Sequence, residues 1–290
     1  MNETAHEGQA GVGRASLYVV ATPIGNLADI TLRALEVLKR VDMIAAEDTR
    51  HALHLLKHHG VSSQLIALHE HNERSSAQKL IGLLGQGKSI ALISDAGTPA
   101  ISDPGALAVA AVREAGYAVV PVPGPNAAIC ALSAAGLAAP HFLFYGFLPA
   151  QAAARKRELE ALKSLPHLLV FYEAPHRVAA SVAAIAAALG GRMITIAREL
   201  TKVFETVYRC PVSEAEAWFA ADANRLKGEF VLVVDGAPPA VAPGTAETQR
   251  VLEVLMGDLS LKQAVKLAVE LTGARKNDVY ELALALDKRA

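Results

Sequence analysis

Short apolar runs alternate with stretches of helical spacing along the first half of the chain. LYVVATP (17–23), MIAAEDT (43–49), LIALH (65–69), SIALISD (89–95) and AVVPVPG (118–124) each predict a buried strand. Between them, DITLRALEVLKRV (29–41), HALHLLKHHG (51–60), NERSSAQKLIGLLGQG (72–87) and GALAVAAVREAG (105–116) repeat apolar residues at helical intervals. Asp29, Asn72 and Asp103 stand where helix N-caps are expected, and Pro104 fits the first position of a helix. Strand and helix in strict alternation predict a mostly parallel sheet with helices on both faces.

The pattern changes after PGPNAAICALSAAGL (123–137). FLFYGFL (142–148), HLLVFYEA (167–174), MITIAREL (193–200), FETVYRC (204–210) and GEFVLVVDG (228–236) read as strands. The link between the third and fourth is too short for a crossover helix, so this second sheet is expected to be mixed. GAPPAVAPGTAET (236–248) is rich in Pro and Gly and reads as a linker. TQRVLEVLMGD, SLKQAVKLAVELTG and RKNDVYELALAL then show helical spacing, with Ser260 and Asn277 or Asp278 as caps. The expected organisation is a disordered tail (1–15), a parallel-sheet α/β domain (16–122), a second α/β domain (123–236), a linker (237–248) and a helical appendage (249–290) shaped like a helix-turn-helix.

Composition narrows the function without naming it. The chain has 290 residues, 52% hydrophobic, and a formal charge of −1, so nothing draws the whole molecule to nucleic acid or membrane. Any RNA contact has to be a local patch, for which RKRE (155–158) and ARKND (274–278) are candidates. Cys130 and Cys210 are far apart and lack metal-ligand spacing, as in a reduced cytoplasmic protein. Apolar stretches break well before the roughly 18 residues a membrane span needs, and MNETAHEGQAGVGRAS has no secretory pattern.

The candidate chemistry lies at strand ends. In open α/β sheets ligands bind beyond the carboxyl ends of the strands. Here those ends read TPIGN, AEDTRH, HEHNE, SDAGTPAISDPG and PGPN, all polar or rich in Gly and Pro. A dinucleotide fingerprint is missing, because GVGRAS (11–16) precedes the first strand, and there is no phosphate-binding loop motif. Asp95 with Asp103, His69 with His71, and His51, His54 and His58 each fall short of a ligand set, so no metal is expected. FYEAPHR (171–177) brings Glu173, His176 and Arg177 to a strand end, and ARELTKVFE (197–205) brings Arg198, Glu199 and Lys202 to another. Charge breaking out of strongly apolar strands favours a cleft over a surface ion-pair cluster. No Ser-His-Asp or Cys-His signature indicates covalent catalysis.

Taken in order, LYVVATPIGNLADITLRALEVLKRVDMIAAEDTR, ISDAGTPAISDPG, VPVPGPNAAICALSAAGL, FYEAPH, ARELTK and KGEFVLVV resemble the tetrapyrrole methylase family, from about Leu17 to Asp235 and on through the helical tail. SDAGTP, FYEAPHR and ARELTK are similar to the branch that methylates the 2′-oxygen of a cytidine ribose in 16S ribosomal RNA. The resemblance implies two α/β domains, S-adenosylmethionine as cofactor, a homodimer, and 16S ribosomal RNA within the small subunit as partner. It places the cofactor pocket on Pro23, Asp95, Gly97, Thr98, Ile101, Asn126, Ala127, Tyr172 and Glu173. For such a reaction Asp48, His176, Glu199 and Lys202 are the expected catalytic groups, with Arg50, Arg177 and Arg198 on phosphates. Either Glu199 as base or a hydroxyl acidified by Lys202 would serve. The chain departs from the pattern at Cys210, where Gly is expected, and in its longer N-terminal tail. A methyltransferase acting on a tetrapyrrole or other small molecule, and a non-catalytic nucleotide-binding regulator, are the competing readings.

Overall fold

The computed structural model describes Gly13 and residues 15–69, 72–238 and 243–287, with backbone alone at 243–245 and 287. The remainder of the N-terminal tail, Glu70 and His71, and residues 239–242 of the expected linker lie outside the described residues.

Five strands, β1 (Ser16–Val20), β2 (Met43–Ala46), β3 (Gln64–Ala67), β4 (Ile90–Ile93) and β5 (Ala118–Val122), form a sheet in the order β3-β2-β4-β1-β5. Every pair is parallel, as the alternation predicts. The connecting helices are α1 (Leu32–Arg40), α2 (Thr49–His58), α3 (Glu73–Gly85) and α4 (Ala106–Glu114). Both faces are buried, and the period of two sorts side chains between them. Leu17, Ile90 and Leu92 pack with Leu80, Leu84 and Val112 on one side. Val20, Ile44 and Ile93 pack with Val37, Leu38 and Leu55 on the other.

A second set of elements follows: α5 (Ala127–Ala134), β6 (Phe142–Phe147), α6 (Ala152–Leu162), β7 (Leu168–Glu173), α7 (Val178–Leu189), β8 (Met193–Arg198), β9 (Thr206–Pro211), α8 (Val212–Ala220) and β10 (Phe230–Val234). The sheet order is β6-β7-β10-β8-β9. Only β6 and β7 run parallel; the other pairs are antiparallel. The short link from β8 to β9 is a hairpin, which is what makes this sheet mixed.

Both sheets lie in one compact unit, residues 1–160 and 168–235, and a second unit comprises 161–167 and 236–290. In the latter, α9 (Pro243–Asp258), α10 (Leu261–Thr272) and α11 (Lys276–Asp287) enclose Leu252, Val265, Ala268 and Val279. The Gln263 side chain accepts from the Ser260 N–H at 3.3 Å, closing the start of α10. Asn277 and Asp278 do not cap α11, which begins one residue earlier at Lys276.

Other expected caps are reassigned by neighbours that the local sequence does not reveal. Asp29 ends a short 3-10 turn capped by Asn26, and the chain is extended again at Ile30, so Thr31 caps α1 through its bond from the Ala34 N–H at 3.1 Å. Asn72 stands at the N-cap of α3 but accepts from the His69 N–H instead. Asp103 is not the cap of α4. Gly105 holds that position without a capping side chain, and the buried Glu73 carboxylate accepts from the Gly105, Leu107 and Ala108 N–H groups at 2.9, 2.8 and 3.2 Å. A negative charge at a helix N-terminus satisfies orphan donors and is stabilised by the positive end of the helix dipole.

Candidate functional site

The sheet order makes β4, β1 and β5 neighbours, so the loops leaving their carboxyl ends meet. Thr22 and Gly97 exchange backbone hydrogen bonds at 2.9 and 3.1 Å. The Thr98 hydroxyl donates to the Pro125 carbonyl at 3.1 Å, tying the β4 loop to the β5 loop. Four residues of the β4 loop have left-handed backbone: Gly97 (φ 80°), Ala100 (φ 68°), Ser102 (φ 61°) and Gly105 (φ 129°). Two of them carry a Cβ, and strain of about 1–3 kcal/mol at such positions clusters at ligand sites.

These loops wall a cavity of about 290 Å³. Gly97, Thr98 and Ile101 come from the β4 loop, Asn126 and Ala127 from the start of α5, and Tyr172 and Glu173 from the end of β7, all named from sequence. Pro23 and Asp95 do not line it. Asp95 Oδ1 instead accepts from the Asp48 N–H at 3.0 Å, which turns this carboxylate toward the β2 loop. Sequence reading missed Ile24, Asp103, Phe147, Leu200 and Glu229, which do line the cavity. Ile24 and Leu200 sit inside motifs already singled out, TPIGN and ARELTK, next to the residues named there; Phe147 carries no local signal.

Glu173 is almost wholly buried, accepting from the Ser181 hydroxyl at 2.5 Å and the Ala174 N–H at 2.9 Å, with Arg177 Nε at 3.1 Å. Arg177 also donates to the Leu148 carbonyl. Arg198, 9% exposed, gives its guanidinium to the Lys227, Phe204 and Asn224 carbonyls. Buried donors demand partners, so the geometry assigns Arg177 and Arg198 to holding loops rather than phosphates. Arg155 of the RKRE patch is likewise buried and turned to the Pro149 and Ala150 carbonyls. Arg50 remains exposed and pairs with Asp48 at 2.8 Å; this bond holds the Asp48 carboxyl down to about 2. Asp48 also accepts from the Arg50 N–H, capping α2, and His176 is exposed in the turn after β7.

Glu199 and Lys202 do come together, with a third partner. Lys202 Nζ lies 2.9 Å from Glu199 Oε1 and 2.8 Å from Glu229 Oε2. The Glu229 N–H donates to Glu199 Oε1 at 3.0 Å. Burial opposes the Lys202 charge, but Glu229 and Glu199 outweigh it and raise the ammonium above its ordinary value. Burial likewise opposes ionisation of Glu199, and the bonds from Lys202 and the Glu229 N–H outweigh it, lowering that carboxyl. The backbone is left-handed at Glu199 (φ 50°) and Thr201 (φ 67°). A Cβ on Gly25 would stand 2.6 Å from Lys202 Cγ, so the β1 loop approaches the lysine as closely as a glycine allows.

Burial pushes Asp103 up from 3.8 to about 6, partly countered by the Ser94 hydroxyl and reinforced by Asp95. Burial, then Asp103 and Asp95, also raise Glu47. Below about pH 4 the Asp103 carboxyl is neutral in folded and unfolded chains alike. Between about 4 and 6 the unfolded chain releases the proton that the folded chain keeps, so folding loses stability as pH rises through this window. At about 1.36 kcal/mol per pH unit the full change would be about 3 kcal/mol, and because the carboxyl is partly solvent-exposed the loss is reduced to about 1–2 kcal/mol. Asp103→Asn should therefore melt higher than the parent at pH 8 without ligand, and the advantage should vanish near pH 4. Equal gaps at the two pH values in thermal melts would contradict the assignment.

Apolar walls from Ile24, Ile101, Phe147 and Val231, with Asp103 among the lining residues, suit a partly apolar cation, while the Glu173 carboxylate is taken up by Ser181, Ala174 and Arg177. Among the described residues no group of three or more His, Cys, Asp or Glu is placed to hold a metal, and no helix is long and apolar enough to cross a membrane.

Comparison with known proteins agrees with the fold. The profile of the Tetrapyrrole (Corrin/Porphyrin) Methylases matches residues 16–216, and that of the RsmI C-terminal HTH domain matches 242–287. The chain is 52% identical over 272 residues to the Ribosomal RNA small subunit methyltransferase I of Escherichia coli O157:H7, covering 93% of this chain and 95% of that protein. The protein of the same name from Pseudomonas aeruginosa is 51% identical over 272 residues, covering 93% and 96%. Uroporphyrin-III-C-methyltransferase from Thermus thermophilus superposes with a TM-score of 0.55 at 21% identity, covering 77% of this chain and 94% of that one. Diphthine synthase superposes with a TM-score of 0.56 at 14% identity, covering 76% and 90%. These two structures share the fold.

Proposed function

The chain belongs to the tetrapyrrole (corrin/porphyrin) methylases, and from that membership we infer that it transfers a methyl group from S-adenosylmethionine to small-subunit ribosomal RNA, at the 2′-oxygen of a cytidine. One observation carries the choice of substrate: half of all positions, over nearly the whole chain, are shared with proteins named for that RNA. The same reading makes the 16S RNA of the small subunit the partner, the cytoplasm the location and a homodimer the working form.

The cavity fits the cofactor. Its apolar faces accept an adenine and a methionine chain, and Asp103 in its lining supplies a carboxyl group to attract a cation. S-adenosylmethionine supplies a methyl group activated on a sulfonium sulfur. The residues of this chain hold the acceptor, exclude water and manage one proton. With the cofactor bound, the ribose oxygen would take the methyl as the methyl–sulfur bond breaks and a neutral thioether leaves, and the hydroxyl proton must be removed. Lys202, kept charged by two carboxylates beside the cavity wall, stabilises the oxygen as it loses that proton. Glu199 is a weak base because its carboxyl is lowered, so the route through Lys202 is favoured. Glu229 is the more exposed carboxylate on Lys202, 72% against 17%, and is the one a departing proton reaches through water.

The test is labelled methyl transfer from S-adenosylmethionine to isolated small ribosomal subunits and, in parallel, to a porphyrinogen. Label should appear in the RNA and, after digestion, in 2′-O-methylcytidine. Label in the porphyrinogen alone would overturn the reading.

A further inference from the structure

The loop between β8 and β9 carries two large apolar residues in water. Val203 is 93% exposed and Phe204 70%. A loose hairpin tip would explain one such residue, but this tip is held from several sides. The Thr201 N–H donates to Glu205 at 2.6 Å, and the Lys202 and Glu205 N–H groups donate to the Glu199 and Lys202 carbonyls at 3.0 and 3.1 Å. The Phe204 carbonyl accepts from the buried Arg198 guanidinium and from the Thr206 hydroxyl, both at 3.2 Å. The backbone is fixed while its apolar side chains face outward, the arrangement of a preorganised contact rather than of folding.

Its position selects the partner. Ala197 and Leu200 of the same segment line the cavity, and Lys202 stands beside it with Glu229. Phe204 is four residues past Leu200, at most about 14 Å along an extended chain. A stacked duplex strand advances about 3.4 Å per nucleotide along its axis and an unstacked strand advances further, so the tip lies within a few nucleotides of a ribose presented to Lys202. Single-stranded RNA is recognised largely by stacking unpaired bases on aromatic rings, which tolerates the neighbouring negative charge of Glu205 better than phosphate contact does.

We propose that Phe204, supported by Val203, stacks on an unpaired base of the RNA next to the ribose being methylated, and so positions the acceptor strand. This rests on the ribosomal RNA reading. The experiment is steady-state methyl transfer to small subunits by the wild type, Phe204→Ala, Phe204→Trp and Val203→Ala, with S-adenosylmethionine binding and sedimentation measured on each. Loss of one stacked base corresponds to roughly tenfold or more in affinity. Phe204→Ala should raise KM for the subunit by about that factor, Val203→Ala by less, and Phe204→Trp should restore it, all with unchanged cofactor affinity. An unchanged KM in Phe204→Ala, or a loss that Phe204→Trp does not rescue, overturns the stacking role. A change in sedimentation on Phe204→Ala overturns it in favour of contact with a second copy of the chain. A wild type that labels no subunit at all defeats the substrate reading itself, which separates the two failures.

Discussion

Lys202→Ala should lower kcat for methyl transfer to small subunits by on the order of 10²–10³, the usual cost of removing a donor aimed at a developing oxyanion. Cofactor affinity should stay within about threefold, because Lys202 is not part of the cavity lining. Lys202→Arg should not rescue. Gly25 leaves no room beside the lysine stem, and the broader guanidinium cannot meet both Glu199 and Glu229 at the distances the ammonium does. Glu199→Gln should cost less, since Glu229 still holds the lysine. Single-turnover rates on the three variants check the order. A full rate in Lys202→Ala would return the chemistry to another group.

The second large effect is on folding and on the cavity together. Glu73→Ala removes a buried carboxylate from three N–H groups at the start of α4. Hydrogen bonds to a charged group are worth about 1.5–3 kcal/mol each at best, and bonds sharing one oxygen are not additive. A loss of about 3 kcal/mol is expected, which at roughly 2–4 °C per kcal/mol is a fall of about 6–12 °C in Tm. Gly105 also ends the left-handed segment that begins at Gly97, so the cavity wall loosens and S-adenosylmethionine binds more weakly. Glu73→Gln, which keeps the shape and loses the charge, should fall between. Thermal melts with and without S-adenosylmethionine measure both consequences. A Glu73→Ala protein that melts with the parent would remove this carboxylate from the account.

Much of this architecture is legible in the chain because its causes are local. Apolar runs a few residues long, separated by helical spacing, locate all ten described strands, and the seven-residue link after Arg198 alone tells a hairpin from a crossover. The part of the cavity wall carried by SDAGTP is readable for the same reason: strand end, glycine and rigid turn are adjacent in sequence. What escapes is decided at long range. Asp103 looks like a helix cap until Glu73, thirty residues earlier, takes that task and leaves it facing the cavity. Arg198 looks like a phosphate ligand until three carbonyls from two other loop segments claim its donors. Asp95 is expected in the cofactor pocket, but its place behind the cavity wall, holding the backbone of Asp48, is set by a residue 47 positions away. Side-chain charge is visible in a sequence, but its partner is not.

The close approach of Gly25 to Lys202 bears on how this enzyme can be recombined. The two residues lie in different sheets' loops, yet Gly25 cannot grow while Lys202 keeps its stem: a methyl on the glycine would evict the lysine. A hybrid that draws its opening segment from one homologue and its hairpin from another therefore inherits a lock without its key unless both pieces travel together. Crossover points for shuffled libraries belong outside the interval from the end of β1 to the start of β9, even though the boundary between the two α/β layers looks like the natural place to cut.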